Sequence, residues 1–197
     1  MQKKIHLHCS NLVQKHLNLM TKIFISLIVG CLLYQGTFAQ ISTVKTVVAE
    51  GQVSLQVPTV FQQILNPENN QFLNSSTYIP NWGIINKTDQ QQLLYSFTQY
   101  ATDDNDIPLA FDELNKQLKS SYKRLKIIDD GIHLTDGRNI GYIVFSGNRN
   151  RNKKTGYLFY LSVKNRLLVF AFISNKKLDN EWKNTLDEMA KSITVAK

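Results

Sequence analysis

Residues 156–173 read GYLFYLSVKNRLLVFAFI, two apolar runs joined by Lys164-Asn165. Successive side chains of a strand point to opposite faces. In both runs each alternating set is apolar, so both strands are expected to be covered on both faces, with a layer of structure on either side of the sheet. The short polar Lys164-Asn165 link is hairpin chemistry. Just upstream, residues 126–134 and 139–146 are strand-like and flank Thr135-Asp136-Gly137-Arg138, a second hairpin signal. The four segments predict an antiparallel meander.

Helical spacing appears on either side of that meander. Ala110, Leu114, Leu118, Tyr122 and Leu125 form one apolar stripe over residues 108–125, while Lys116, Lys119, Lys123 and Arg124 occupy most of the remaining surface. Asp103-Asp104-Asn105-Asp106 and Pro108 precede it, and side-chain oxygens there suit free amides at a helix start. Trp182, Leu186, Met189, Ala190 and Ile193 predict a second helix over residues 178–192. At the other end, residues 43–49 and 52–57 alternate around Glu50-Gly51 as a hairpin closed by Pro58. A short helical turn is expected at 60–65, and residues 66–80, rich in Asn, Ser and Pro, read as a long surface connection. Residues 82–85 and 92–101 flank Asn86-Lys87-Thr88-Asp89 as a further strand pair, with Leu93, Tyr95 and Phe97 on one side. This order predicts an α+β fold: a central antiparallel β-sheet flanked by helices, an α/β/α sandwich.

The first 39 residues read as a targeting segment. From Met20 the chain runs MTKIFISLIVGCLLYQGTFAQ, with Lys22 ahead of an apolar core and Thr37 and Ala39 at the small-residue positions before Gln40. That core of about a dozen residues is shorter than the ~20 needed to span a bilayer, so no transmembrane anchor is expected after cleavage. Residues 1–39 are therefore read as a signal peptide, with 1–19 upstream of a true start at Met20, and 40–197 as a single domain exported to the periplasm or secreted. Ile28-Val29-Gly30-Cys31 resembles a lipoprotein box, which makes an anchor through Cys31 the alternative; the apolar Leu32-Leu33-Tyr34 that follows favours soluble export.

Composition limits the chemistry of the exported part. Of 23 Lys and Arg, four (Lys3, Lys4, Lys15 and Lys22) precede residue 40, leaving 19 cations against 15 acids. Both cysteines and all histidines but His133 also precede it, so thiol chemistry and disulfides are absent beyond residue 39. No catalytic constellation is expected, because Ser-His and Cys-His catalysis needs more than His133, which reads as an ordinary strand-end residue. No metal site is expected either: zinc lacks ligands, and the 103–106 acids lack the glycine and distal glutamate of a calcium loop. Asp129-Asp130 would point to opposite faces of a strand. Nucleic acid is not an expected partner, since the excess charge is small and no groove-reading motif occurs.

The succession VSLQVP then Phe61, a helix leading into Lys126-Ile-Ile-Asp-Asp-Gly, Gly141-Tyr142 entering a strand, RLLVFAF in a hairpin, and a closing helix with Glu181-Trp182 and Ser192-Ile193 resembles the PsbP-like family. More narrowly it resembles exported DcrB-like proteins. The resemblance implies an α/β/α sandwich used as a binding or assembly module, as in extrinsic photosystem subunits, envelope proteins and small secretion chaperones. It carries no catalytic residue and no cofactor onto this chain.

The most distinctive polar stretch is Gly147-Asn148-Arg149-Asn150-Arg151-Asn152-Lys153-Lys154-Thr155-Gly156, read as a loop with four cations. Arg149, Arg151, Lys153 and Lys154 are the candidate anion- or partner-binding residues; the alternative is a solubilising hairpin tip. The functional expectation is an exported, non-enzymatic envelope protein that binds another envelope protein or an anionic envelope component. A carrier of a small apolar ligand, and an enzyme with an unrecognised site, are the alternatives.

Overall fold

The computed structural model describes residues 41–70, 72–73 and 78–196, all within the unit Ile41–Lys197. The expected signal segment, with Met20 and Cys31, lies outside the described residues. The elements in chain order are β1 (Thr43–Val48), β2 (Val53–Pro58), β3 (Gln62–Gln63), a 3-10 turn (Pro67–Asn69), β4 (Trp82–Asn86), β5 (Gln91–Ala101), α1 (Ile107–Ser121), β6 (Lys123–Thr135), β7 (Arg138–Arg149), β8 (Asn152–Val163), β9 (Arg166–Ser174), α2 (Asn180–Lys191) and β10 (Thr194–Val195).

Seven strands form one sheet in the order β3-β4-β5-β9-β8-β7-β6, and β1-β2-β10 form a second, three-stranded sheet. Every pairing is antiparallel. The meander of β6 to β9 is present, and the doubly apolar β8 and β9 lie near the middle of the large sheet, as their composition requires. Lys164 and Asn165 both adopt positive φ (49° and 59°), the conformation a two-residue hairpin turn demands.

Two cores sandwich the large sheet. On one face Tyr157, Phe159, Phe170 and Phe172 pack against β1, β2 and α2 through residues such as Leu55, Val57, Leu186 and Met189. On the other face Leu158, Tyr160, Val169 and Ala171 pack against Leu114 and Leu118 of α1 and against Phe72, Leu73 and Tyr78. The expected α/β/α sandwich is therefore too helical a description. The molecule is mostly antiparallel sheet with two helices, and α2 shares its face with a second sheet. The first hairpin is apolar enough to form a layer of its own once β10 pairs with β2 at Thr194↔Ser54.

Other expectations are corrected in detail. Residues 60–65 hold the short strand β3, paired to β4 at Gln62↔Ile85, in place of a helical turn. The 66–80 connection is not confined to the surface, because Phe72, Leu73 and Tyr78 are buried and Tyr122 Oη donates to the Phe72 carbonyl at 3.0 Å. Helix α1 stops at Ser121, with Tyr122 extended, and Leu125 reaches the same core from β6. An apolar stripe at helical spacing cannot reveal that its last members switch to strand while facing one core. The acids before α1 do not cap it by side chain. Asp103 Oδ1 accepts from the Asn105 and Asp106 amides at 2.7 and 3.1 Å, and Asp104 accepts from the Asn139 amide at 3.1 Å, pinning the helix entry to the β6–β7 turn.

Candidate functional site

The ten-residue basic loop expected at 147–156 is instead a continuation of two paired strands. Pairing runs Ser146↔Thr155, Gly147↔Lys154, Asn148↔Lys153 and Arg149↔Asn152, and only Asn150-Arg151 turn the chain, at φ 50° and 67°. Backbone pairing does not need apolar side chains once a neighbouring strand is in register, so polar residues extend the ladder past the core. Strand alternation then divides the four cations. Directly paired residues share a face, which places Arg149, Asn152 and Lys154 on the α1 side, Lys153 on the opposite side and Arg151 at the tip. Arg149 and Lys154 are half-buried, whereas Arg151 and Lys153 are exposed.

Arg149 and Lys154 border an open cleft of about 550 Å³. Gln92 and Ile173 line its sheet side, and Glu68, Asn70 and Phe72 line it from the connection that follows β3. The cleft lies where α1 ends, with Tyr122, the first residue past the helix, in its lining. Gln92 Nε2 donates to Asn70 Oδ1 at 3.4 Å. Lys154 Nζ donates to Asn175 Oδ1, whose own amide donates to Gln90 Oε1 at 2.5 Å. The Arg149 guanidinium sits 5.8 Å from the centre of the Tyr122 ring, a cation–π contact. Burial, reinforced by the Arg149 charge, pulls the Lys154 ammonium below its ordinary pKa. Arg149 and Lys154 thus place two like charges, each partly withdrawn from solvent, at the border of one open cleft.

A second charged cluster, which the sequence reading missed, joins α2 to the opposite face. His133 on β6 stacks on Tyr142 with centroids 4.6 Å apart, and Tyr142 stacks on Tyr157 at 5.9 Å. Tyr157 Oη donates to Asp187 Oδ1 at 2.5 Å, and Lys183 Nζ meets Asp129 Oδ2 at 2.6 Å. His133 Nε2 lies 3.9 Å from Asp187 Oδ1, too far for a hydrogen bond. Burial and the Asp187 bond push the Tyr157 phenol far above its usual range, and Lys183 is raised by its Asp129 partner. With Asp187 engaged by Tyr157, the cluster works as a strut between sheet and helix. Residues this far apart in the chain leave no spacing signal.

The strut makes stability depend on pH with a definite sign. Burial lowers the His133 pKa below 6.5, outweighing the opposing pull of Asp187. A histidine that is harder to protonate when folded contributes fully above its unfolded pKa, and that contribution is lost as pH falls through about 6.5. Urea midpoints are expected to decline between about pH 7.5 and pH 5.5, and His133→Gln should flatten that part of the profile. An unchanged profile in the variant would mean that other groups set it.

Among the described residues no group of three or more His, Cys, Asp or Glu side chains is placed to hold a metal, and no helix is long and apolar enough to cross a membrane.

A seven-stranded antiparallel sheet with α1 on one face, and α2 with a small sheet on the other, is the PsbP-like architecture, and the chain has that fold. No family model and no curated protein matches the sequence. The fold is similar to that of cyanobacterial PsbP (CyanoP) from Synechocystis sp. PCC 6803, with a TM-score of 0.53 at 10% identity over 82% of this chain and 96% of that one. It is also similar to the Ran-binding protein Mog1p of Saccharomyces cerevisiae, with a TM-score of 0.50 at 10% identity over 79% and 96% of the two chains. LpqN of Mycobacterium tuberculosis, described as involved in cell envelope biogenesis, aligns at a TM-score of 0.46 and 14% identity over 79% and 91%. At these identities the likeness establishes the fold and transfers no residue role.

Proposed function

We propose that the chain is an exported, non-enzymatic binding module that holds an anionic component of the cell envelope in the cleft beside Arg149 and Lys154. The observation that carries this reading is the convergence of those two half-buried cations on one open, polar cleft. The signal layout at 20–40 supports export. Mog1p, a Ran-binding protein, shows that one protein of this fold serves as a binder. Phe72, Tyr122 and Ile173 are the apolar members of a lining that is otherwise charged or carboxamide, so the cleft suits a polar ligand better than an apolar one. His133, the one histidine beyond residue 39, stacks on Tyr142 on the face of the sheet opposite the cleft, so it adds no base to this site.

The test compares two paired variants in cells. Arg149→Ser/Lys154→Ser is expected to reduce envelope association about tenfold or more, and raising salt should weaken the wild-type association in the same direction. Arg151→Ser/Lys153→Ser, which removes the same charge outside the cleft, should lose less than about threefold. Equal losses in both variants would reduce the hairpin to a general cationic tip. The mass of the mature N-terminus checks export through the same material: cleavage before Gln40 supports the soluble form, and an acylated Cys31 supports an anchored one.

A further inference from the structure

The lining of the cleft specifies more than negative charge. A volume of about 550 Å³ lies within the range of small-molecule sites, and a lone oxyanion would leave most of it to water. Arg149 offers a planar fork that matches phosphate oxygens, and Lys154 adds a compact point charge. The remaining polar lining is of a different kind. Asn70, Gln92 and Asn152 are carboxamides, which both donate and accept as a hydroxyl group requires; Gln92 Nε2 donates to Asn70 Oδ1 and Asn70 Nδ2 to the Asn66 carbonyl, both at 3.4 Å, long bonds that a hydroxyl group can share or replace. Glu68 accepts only and repels a second anion, so it suits a neutral hydroxylated body. A broad acidic protein surface would meet the exposed Arg151 and Lys153 first, while the recess favours a group that can enter it.

Resting on the reading above, that this cleft is the binding site, we propose that it takes a phosphorylated saccharide. The phosphate sits against Arg149 and Lys154, and the sugar hydroxyls bond to Asn70, Gln92, Asn152 and Glu68. The depressed Lys154 pKa is in keeping with this, since a bound phosphate would restore the ammonium's ordinary basicity. The phosphate can belong to a lipid-linked glycan or to a free sugar phosphate, and the chemistry at the cleft is the same for both.

The experiment titrates the native protein with glucose 6-phosphate, inorganic phosphate and glucose, read by calorimetry and by side-chain amide NMR signals. Glucose 6-phosphate is expected to bind about tenfold or more tighter than either fragment, shifting the amides of Asn70, Gln92 and Asn152. Gln92→Ala should weaken the sugar phosphate about fivefold while leaving inorganic phosphate unchanged. Arg149→Lys keeps the charge and loses the fork, and is expected to retain binding at a level between wild type and Arg149→Ser. Phosphatidylcholine vesicles carrying lipid A separate the two sources: capture reversed by glucose 6-phosphate supports the lipid-linked form, and binding of the free sugar phosphate alone supports the soluble one. Equal affinity for inorganic phosphate and glucose 6-phosphate overturns the saccharide and leaves the anion reading standing. No binding of any probe also overturns it; envelope association that still depends on Arg149 and Lys154 would then keep the broader reading alive, and association independent of them would end both.

Discussion

Replacing Phe170 with alanine is expected to destabilise the protein by about 3–5 kcal/mol, the usual cost of removing a fully buried aromatic ring. Phe170 is 0% exposed and sits on β9 near the middle of the large sheet. Its ring stacks on Phe159 at 4.7 Å with planes 15° apart, and tilts against Tyr95 at 5.7 Å. Tyr95 Oη in turn accepts from the Ala49 amide at 3.1 Å, at the turn of the β1–β2 hairpin. The lost ring therefore removes transfer free energy, leaves a cavity, and loosens the residue that ties the small sheet to the large one. Thermal denaturation should show the midpoint falling by roughly 10 °C. Leu134→Ala is the control: Leu134 is 75% exposed, and its loss should change stability by less than about 0.5 kcal/mol. A Phe170→Ala penalty below about 1 kcal/mol would show that the core collapses around the gap and that this stack does not hold the layers together.

Phe170 also marks what could be read from the chain. Its run is apolar on both alternating sets, and that alone required two covered faces and placed β8 and β9 inside the sheet. The hairpins, the helices and the meander likewise follow from local period and turn chemistry, because each is closed by contacts between near neighbours in sequence. The identity of the covering layers does not follow locally. Only the two residues of β10, arriving from the far end of the chain, join the first hairpin into a sheet. In the 66–80 segment the Asn and Ser content masks Phe72, Leu73 and Tyr78, because apolar residues outside a regular element leave no periodic signal. At the site, the charge of Arg149 and Lys154 was legible. Their separation from Arg151 and Lys153 was not, since it depends on pairing continuing through a stretch with no apolar alternation. Asn70 and Gln92 carry no signal of their own; Gln92 sits on β5 opposite Ile173, and the connection after β3 brings Asn70 over it.

Three glycines of the large sheet share an arrangement that makes a graded prediction. Gly131 pairs with Tyr142, Gly141 with Tyr160 and Gly156 with Phe145, each glycine directly opposite an aromatic residue. A Cβ on Gly141 would lie 2.2 Å from Cζ of Tyr160, and one on Gly156 would lie 2.4 Å from the Phe145 ring, while on Gly131 the nearest atom, the Tyr142 hydroxyl, is 2.9 Å away. The rings thus lie across the neighbouring strand and fill the space a side chain would take. Gly141→Ala removes conformational entropy from the unfolded chain, a gain of at most about 1 kcal/mol. Against it stands overpacking of about 1–3 kcal/mol. The overpacking wins, because Tyr160 is 1% exposed and its ring has no free direction in which to move. Gly156→Ala should behave likewise against the fully buried Phe145, whereas Gly131→Ala should cost less, since its closest approach is longer and is to the hydroxyl end of the half-buried Tyr142. The decisive measurement is a double-mutant cycle by urea denaturation. With Tyr160→Leu in place, the alanine at position 141 should cost less by about 1 kcal/mol or more, a coupling expected only of groups in contact. If the two penalties simply add, the Tyr160 ring does not rest on Gly141, and the glycine must be explained by the backbone of β7 alone.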